Sequence, residues 1–289
     1  MSPVLKPLLF SLSLALTAAP ALAQPPVWVV RDADSTIVLF GSVHLLPPGL
    51  DWRPPALNAA LKEADDLWFE LPIDGGSSRD AAQLAIKRGA LPPGEKLSDK
   101  LSVQGRKRLA AAVARHKLDI SALDRMRPWL AEVTLGVAQM AGGGANGSDG
   151  VERTLSQAAP ATAQRRAFET AADQIAFFAD TSEKAQIASL EYSLRQMEKE
   201  PQGSSKLIDA WVAGDLKALE QRGLVPMRRR SPEIYRRLVT DRNARWTDAL
   251  AGRLKGSGET VVVVGAGHLI GRDGVPAMLR RRGIAVEGP

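Results

Sequence analysis

The chain has 289 residues, 45% of them hydrophobic, and a formal net charge of +6. A chain of this length and composition can form one large domain or two small ones around a substantial core. It contains no cysteine, so disulfides, thiolate nucleophiles and zinc–thiolate centres are all excluded.

The first residues have the pattern of a secretory signal peptide. Lys6 gives a positively charged start, residues 7–17 form an apolar stretch, and Ala21-Leu22-Ala23 has the small-x-small pattern of a cleavage site. The apolar stretch is short for a transmembrane anchor, which is the alternative interpretation. We therefore expect cleavage after Ala23 and a periplasmic or secreted protein whose residues 24–289 form a single domain.

Much of the basic charge is concentrated in three arginine runs. Such runs either lie on solvated helix faces or make a weak contact with an anionic surface such as lipid or polysaccharide. The expected export argues against a nucleic-acid partner. The runs occupy residues 228–230, 236–237 and 280–282.

The first elements predicted after the signal are a hairpin and a helix. Residues 27–31 and 35–40 are predicted strands on either side of the turn Asp32-Ala33-Asp34. Pro55 favours the first turn of a helix that runs to about Glu63.

The next predicted strand, residues 66–71, carries a glutamate inside an apolar run. Glu70 lies between Phe69 and Leu71. Burial of an unpaired carboxylate is costly, so a carboxylate in this position needs either a functional role or an ion pair with an arginine. Both interpretations stay open at this point.

The middle of the chain, about residues 79–255, is predicted to be mainly helical, because apolar residues recur at helical spacing. A glycine-rich break at 141–150 is the best candidate for a boundary or flexible loop. A short strand over 165–169 ends in Glu169, and Thr170 then caps a long helix. The predicted helices are 79–88, 102–116, 121–140, 150–159, 170–200 with an interruption near 180–182, 204–213 and 232–254.

The C-terminal part is predicted to return to strands. Residues 260–264 form the strongest predicted strand, followed by a helix over 273–282 and a last strand over 284–287. The fold class is therefore α/β (α+β-like), with a central mixed sheet built from N- and C-terminal strands and a large helical insertion.

One short phrase occurs twice in the chain. Gly41-Ser42-Val43-His44-Leu45 and Gly265-Ala266-Gly267-His268-Leu269 each follow an apolar predicted strand, and together they hold two of the three histidines. Gly41 and Gly265 would begin tight departures from a strand, where a side chain would block the turn or crowd a ligand. Ligands of open α/β sheets bind beyond the carboxyl ends of strands. The groups predicted there are His44, Glu70, Glu169 and His268.

Two neutral imidazoles with one or two carboxylates are the ligand set of a divalent transition metal. Such a metal would activate water, and a remaining carboxylate would serve as general base. Each residue also has a structural interpretation: His44 or His268 alone would be a hydrogen-bonded histidine, and Glu169 would favour the N-terminus of the helix after it.

The second phrase also has the outline of a dinucleotide-binding turn, since it follows a strand and Glu287 lies 22 residues after Gly265 (287 − 265). The chain ends at Pro289, before a second nucleotide-binding half, and an exported protein meets little free nicotinamide cofactor. This interpretation also ignores the matching phrase at His44, so we set it aside.

Five segments together resemble the TraB/GumN family, which is similar to the Tiki metalloproteases. They occur in the family's order and span nearly all of residues 24–289. One departure is Phe168, where the family usually has leucine. The segments are Phe40-Gly41-Ser42-Val43-His44-Leu45, Asp65-Asp66-Leu67-Trp68-Phe69-Glu70-Leu71, Phe168-Glu169-Thr170 with Gln174, Asp241-Arg242-Asn243 with Trp246, and Val264-Gly265-Ala266-Gly267-His268-Leu269 followed by Gly274 and residues 279–283.

The resemblance implies a single α/β domain with a helical insertion. For Tiki-like members it implies metal-dependent peptidase activity centred on the two histidines and the glutamate. Other members are linked to pheromone shutdown or to polysaccharide gene clusters. The fold also resembles erythromycin esterases and haem-binding proteins.

The leading hypothesis is a metal-dependent hydrolase, a peptidase, that acts on a peptide or small-molecule substrate. His44, His268 and Glu70 would hold a divalent ion (Mn, Co or Zn), with Glu169 as base or supporting ligand. Two residues of the predicted helix 232–254, Arg242 and Asn243, would join the site. The arginine would hold a substrate carboxylate or orient Glu70 through a paired hydrogen bond. The alternative is that both lie on a solvated helix face. The alternatives are an esterase-like hydrolase with a histidine base and no metal, and a non-catalytic module that binds haem or a peptide.

Overall fold

The computed structural model describes residues 24–289. The predicted signal peptide, residues 1–23, lies outside the described residues. Within residues 24–289, no helix is both long enough and apolar enough to cross a membrane.

A six-stranded mixed sheet lies at the centre of the fold, with strand order β4-β3-β5-β2-β1-β6. Strands β2, β5, β3 and β4 are parallel to one another, whereas β1 is antiparallel to both β2 and β6. This arrangement confirms the predicted α/β class. The strands are β1 Val27–Arg31, β2 Ser35–Ser42, β3 Asp66–Phe69, β4 Gln164–Ala167, β5 Gly258–Gly265 and β6 Val286–Glu287.

The parallel strands end at one edge of the sheet, which brings distant parts of the sequence together. Ser42 at the end of β2 pairs in register with Gly265 at the end of β5. Phe69 at the end of β3 pairs with both Val263 and Ala167. The residues that follow these four strands are therefore neighbours, as the sequence predicts.

Helices make up most of the remaining chain. Two segments of π-helix, Glu220–Leu224 and Arg236–Thr240, continue directly into α12 and α14, and a single turn of 3₁₀-helix, Ala266–His268, follows β5. The α-helices are α1 Pro55–Glu63, α2 Gly75–Gly89, α3 Leu97–Lys100, α4 Val103–His116, α5 Ile120–Leu123, α6 Pro128–Gly142, α7 Val151–Ala158, α8 Ala171–Ala179, α9 Glu183–Lys199, α10 Gly203–Val212, α11 Leu216–Leu219, α12 Val225–Arg230, α13 Pro232–Tyr235, α14 Asp241–Arg253 and α15 Val275–Arg281.

Most predicted elements are present, and two differences have a clear cause. The single helix predicted over 121–140 is wrong: α5 ends at Leu123 and α6 begins at Pro128, because proline disfavours helical geometry in the residue before it and suits the first helical turn. The helical stretch from Leu216 to Arg230 is missing from the prediction. It contains Pro226 and Gly223, two residues that ordinarily signal a helix break.

Two separate clusters of buried apolar side chains stabilise the fold. The larger one surrounds the sheet and includes Leu39, Phe40 and Val263, each fully buried. The smaller one lies among the helices α3, α4, α5, α6 and α9. The site-bearing edge of the sheet is thus supported by the larger cluster.

Replacing Leu39 by alanine should destabilise the protein by about 2–5 kcal/mol, because it leaves a cavity in a fully packed strand. Urea unfolding at 25 °C would measure this change. Ile86→Ala is the matched control: its side chain lies on α2 and is 66% exposed, so the change should stay within about 0.5 kcal/mol. Equal effects of the two substitutions would contradict this packing.

Candidate functional site

The structure brings most of the predicted residues together at the carboxyl edge of the sheet. Glu70 directly follows β3, Glu169 follows β4, and His268 ends the 3₁₀ turn after β5; all three are buried. Arg242 projects from the first turn of α14 and is also buried. His44, beyond β2, lines the same cavity as Glu70, Arg242 and His268, but its side chain is 63% exposed.

Arg242 is the hub of the buried group. Its Nε donates to Glu169 at 2.8 Å, and its Nη2 donates to Glu169 at 2.7 Å and to Glu70 at 2.5 Å. Its Nη1 contacts the carbonyl oxygen of Leu238 at 3.2 Å and Nε2 of His268 at 3.1 Å. A guanidinium has five N–H donors, and these five contacts use all of them. The ion pair predicted as the alternative role of Glu70 is therefore present.

The two carboxylates have further donors. The backbone N–H of Gly265 donates to Glu70 at 2.6 Å, and the side chain of Gln174 lies within 3.2 Å of Glu70 and 3.4 Å of Glu169. The indole of Trp246 donates to Glu169 at 3.1 Å, and its ring lies 4.7 Å from the guanidinium carbon of Arg242. Each negative charge is thus matched by several donors, as a buried carboxylate requires.

Asn243 fixes the tautomer of His268. Its Nδ2 donates to the carbonyl oxygens of His268 and Asp273, so its Oδ1 is left to accept from Nδ1 of His268 at 2.6 Å. Nε2 of His268 then carries a lone pair and accepts from Arg242. Burial lowers the pKa of His268 to about 3, which agrees with a neutral ring.

Glu70 stays ionised for the opposite reason. Burial by itself would raise its pKa, but its interactions with the imidazole of His268, the positive charge of Arg242 and the N–H of Gly265 outweigh burial and lower the pKa to about 2. The depressed pKa means that ionised Glu70 contributes stability above its ordinary pKa of 4.5, and that this contribution is lost as the pH falls towards 2.

His44 belongs to a second, separate arrangement that the sequence does not reveal. Its Nδ1 contacts Oε1 of Glu152 at 2.5 Å, and the hydroxyl of Ser42 donates to the same oxygen at 2.5 Å. The charge of Glu152 raises the pKa of His44 to about 9. Glu152 lies in the first turn of α7, where an acidic residue is common for electrostatic reasons alone, so nothing singles it out in the sequence.

Two open spaces meet at His44. The main cavity, about 430 Å³, has mostly apolar walls and a charged end formed by Glu70, Arg242 and His268. On the other side of the imidazole lies a polar groove of about 420 Å³, lined by Glu152 and Arg153 among others. Apolar residues in the wall of the main cavity include Val43, Leu45, Leu207, Leu219, Leu224 and Val239.

The motif glycines lie where the backbone passes close to other atoms. Neither adopts a positive φ, so crowding and not backbone conformation favours glycine at both positions. A Cβ on Gly41 would lie 2.9 Å from the Cα of Ala266, and a Cβ on Gly265 would lie 3.1 Å from Oε1 of Glu70. The glycines therefore let the two phrases, and the carboxylate, approach one another closely.

The donor set does not fit a resident metal in this arrangement. Among residues 24–289, no three His, Asp or Glu side chains converge closely enough to hold an ion. Arg242 already supplies the positive charge between Glu70 and Glu169, and it donates to Nε2 of His268, the nitrogen that a metal would need.

Replacing Arg242 by methionine should destabilise the protein by about 3–5 kcal/mol at pH 7, because two buried carboxylates lose their common partner. The difference from the unmodified protein should shrink below about pH 4.5, where the carboxylates can protonate. Urea unfolding at several pH values would measure it. Arg245→Met is the control on the same helix, because Arg245 is 54% exposed and 3.9 Å from Glu169. A pH-independent difference would contradict the assigned network.

Comparisons with known proteins give one match, which covers almost all of the described chain. No curated protein and no solved structure matches it significantly. The model of the TraB/PrgY/gumN family matches residues 26–288. The chain belongs to the TraB/PrgY/gumN family.

Proposed function

We propose that this protein is a hydrolase in which His44, held by Glu152, is the acid–base group. The observation that carries the proposal is the position of the imidazole. One nitrogen is bound to the mostly buried carboxylate of Glu152, while most of the ring is exposed between the main cavity and the polar groove. A histidine oriented by a carboxylate is a common general base in acyl transfer.

The reaction would be the addition of water to an ester or peptide carbonyl. Nε2 of His44 takes a proton from water as the water oxygen bonds to the carbonyl carbon. The imidazolium then returns that proton to the leaving oxygen or nitrogen as its bond to the carbonyl carbon breaks. The apolar part of the substrate would occupy the main cavity, and its polar part the groove lined by Arg153.

In this proposal the other predicted residues hold one another in position. All five donors of Arg242 are used within the protein, so its role is to hold Glu70, Glu169 and His268 in place. Asn243 does the same for His268. These are positioning residues that shape the charged end of the cavity.

Replacing His44 by alanine should lower kcat by about 10²–10⁴-fold on a peptide or ester substrate, because the proton-transfer group is lost. His116→Ala is the control, since this third histidine lies at the end of α4 and lines neither the main cavity nor the groove. Circular dichroism would show that both variants fold. Equal activity of the two variants would refute the assigned role of His44.

The pH dependence gives an independent test. Because Glu152 raises the pKa of His44, kcat/KM should increase with pH on an alkaline limb, up to about pH 9. Glu152→Gln removes that charge, so the limb should move to lower pH while the maximal rate falls. Glu198→Gln, a change in an exposed ion pair with Arg108, should leave the limb in place. An unchanged limb in Glu152→Gln would contradict the His44–Glu152 assignment.

A metal-dependent peptidase of the Tiki type is our second candidate, and one observation favours it. Both histidines have Nδ1 engaged, by Glu152 and by Asn243, which is how metal-binding histidines are commonly oriented with Nε2 towards the ion. Binding of Mn, Co or Zn near Glu70 and His268 would require Arg242 to release His268.

Metal analysis separates the two candidates. For metal-free hydrolysis, untagged mature protein should contain no stoichiometric Mn, Co or Zn, and adding these ions should leave both its activity and its melting temperature unchanged. A stoichiometric ion that disappears in His268→Ala would favour the second candidate over the first.

We also propose that the protein is exported and meets its substrate in the periplasm or outside the cell. The supporting observation is the signal pattern that ends at Ala23. Sequencing of the N-terminus of protein recovered from the periplasmic fraction should begin at Gln24. Recovery of the chain in the cytoplasm with Met1 intact would contradict export.

A further inference from the structure

A second, smaller cavity lies beside the main one and is not used by the proposed reaction. This side cavity measures about 170 Å³ and shares Phe178, Met227 and Leu238 with the wall of the main cavity. Its volume is sufficient for a group of the size of benzene. The two cavities are therefore adjacent and are separated by these shared side chains.

The side cavity contains a carboxylate without a cation. Glu132 on α6 lines it, and one of its oxygens, Oε1, accepts from the hydroxyls of Ser189 at 2.9 Å and Ser193 at 2.5 Å. Among the described residues that line this cavity, none is Lys, Arg or His, and Glu132 has no ion pair within residues 24–289. Burial raises the pKa of Glu132, as expected for a carboxylate that lacks a counter-ion.

A second polar group in the same wall also lacks a partner. The amide nitrogen of Gln186 donates to the carbonyl oxygens of Thr181 at 2.8 Å and Phe178 at 3.4 Å, which fixes the side chain. Its Oε1 has no hydrogen-bond partner among the described residues, although Gln186 is only 3% exposed. An unpartnered buried acceptor is costly, so a donor from outside the chain would be stabilised here.

Two aromatic rings also line the side cavity, beside aliphatic side chains, and the indole N–H of Trp129 is a further polar group there without a partner among the described residues. The rings of Trp129 and Phe178 stack with centroids 5.8 Å apart, and both line the side cavity. Aromatic faces attract cations. Acceptor oxygens, aromatic rings and the lack of any basic lining residue together describe an environment for an ammonium group, which offers three donors and one positive charge.

We propose that the side cavity is a specificity subsite that binds the protonated primary amine of a lysine-like substrate side chain, through Glu132 and Gln186. The binding itself is independent of catalysis. Its place in substrate recognition rests on the proposed hydrolase function, in which the alkyl stem would pass along Phe178 from the main cavity.

Binding of n-butylamine, which is protonated at pH 7, tests the subsite without any turnover. Titration followed by NMR should show saturable binding to the full mature protein, with much weaker binding of the neutral analogue 1-butanol. Glu132→Gln should weaken amine binding at least about tenfold, because the ammonium group then meets a neutral amide in place of a carboxylate. Two control variants should bind the amine as the unmodified protein does. They are Glu198→Gln, which changes an exposed glutamate, and His44→Ala.

A second measurement needs no substitution and so does not depend on whether Glu132→Gln folds. Nuclear Overhauser contacts between the methylene protons of butylamine and the indole of Trp129 should locate the ligand. The subsite would be overturned if amine and alcohol bound with equal affinity. It would also be overturned if the unmodified protein and folded Glu132→Gln bound the amine equally, or if the cavity held ordered water only.

A separate experiment tests the role of the subsite in catalysis. If the proposed function holds, peptides with lysine beside the scissile bond should be cleaved with a higher kcat/KM than their norleucine counterparts, and Glu132→Gln should remove that preference. Amine binding without any hydrolysis would refute the proposed function and leave the subsite standing. Hydrolysis with no preference for lysine over norleucine would refute the subsite as a specificity determinant.

Discussion

The charged end of the main cavity depends on one buried cation, the guanidinium of Arg242. It is the common partner of two carboxylates that reach the same point from different strands, and it also donates to a neutral imidazole. Without it, Glu70 and Glu169 would face each other as buried like charges. Strand pairing brings the carboxyl ends of β3 and β4 together, and both carboxylates can be buried there because α14 supplies that cation.

The same constraint divides the two histidines of the repeated phrase into different roles. His268 is enclosed, neutral and held on both ring nitrogens, so it is a fixed part of the charged network. His44 is held on one nitrogen only and faces open space on both sides. Proton transfer to a substrate requires access, and His44 is by far the more exposed of these two imidazoles.

Local patterns in the sequence predict where most of the candidate residues lie in the fold, but they do not predict which side chains these residues contact. The strands that end before Glu70 and His268 follow from apolar runs, and their parallel pairing brings those residues to one edge. That Arg242 lies between the carboxylates is decided by where α14 packs in the fold. Glu152, which follows a glycine-rich loop over 100 residues after His44, is likewise placed by packing.

The direction in which Arg242 points depends on the number of residues in the π-helical segment before α14. A π turn holds more residues than an α turn, and such turns often occur at functional positions. Removing one residue between 236 and 240 would restore ordinary α geometry and rotate the helix that follows by about 100°. Arg242 would then turn away from Glu70 and Glu169, although every residue of the network would still be present. In this part of the molecule a one-residue deletion is equivalent to losing the buried cation.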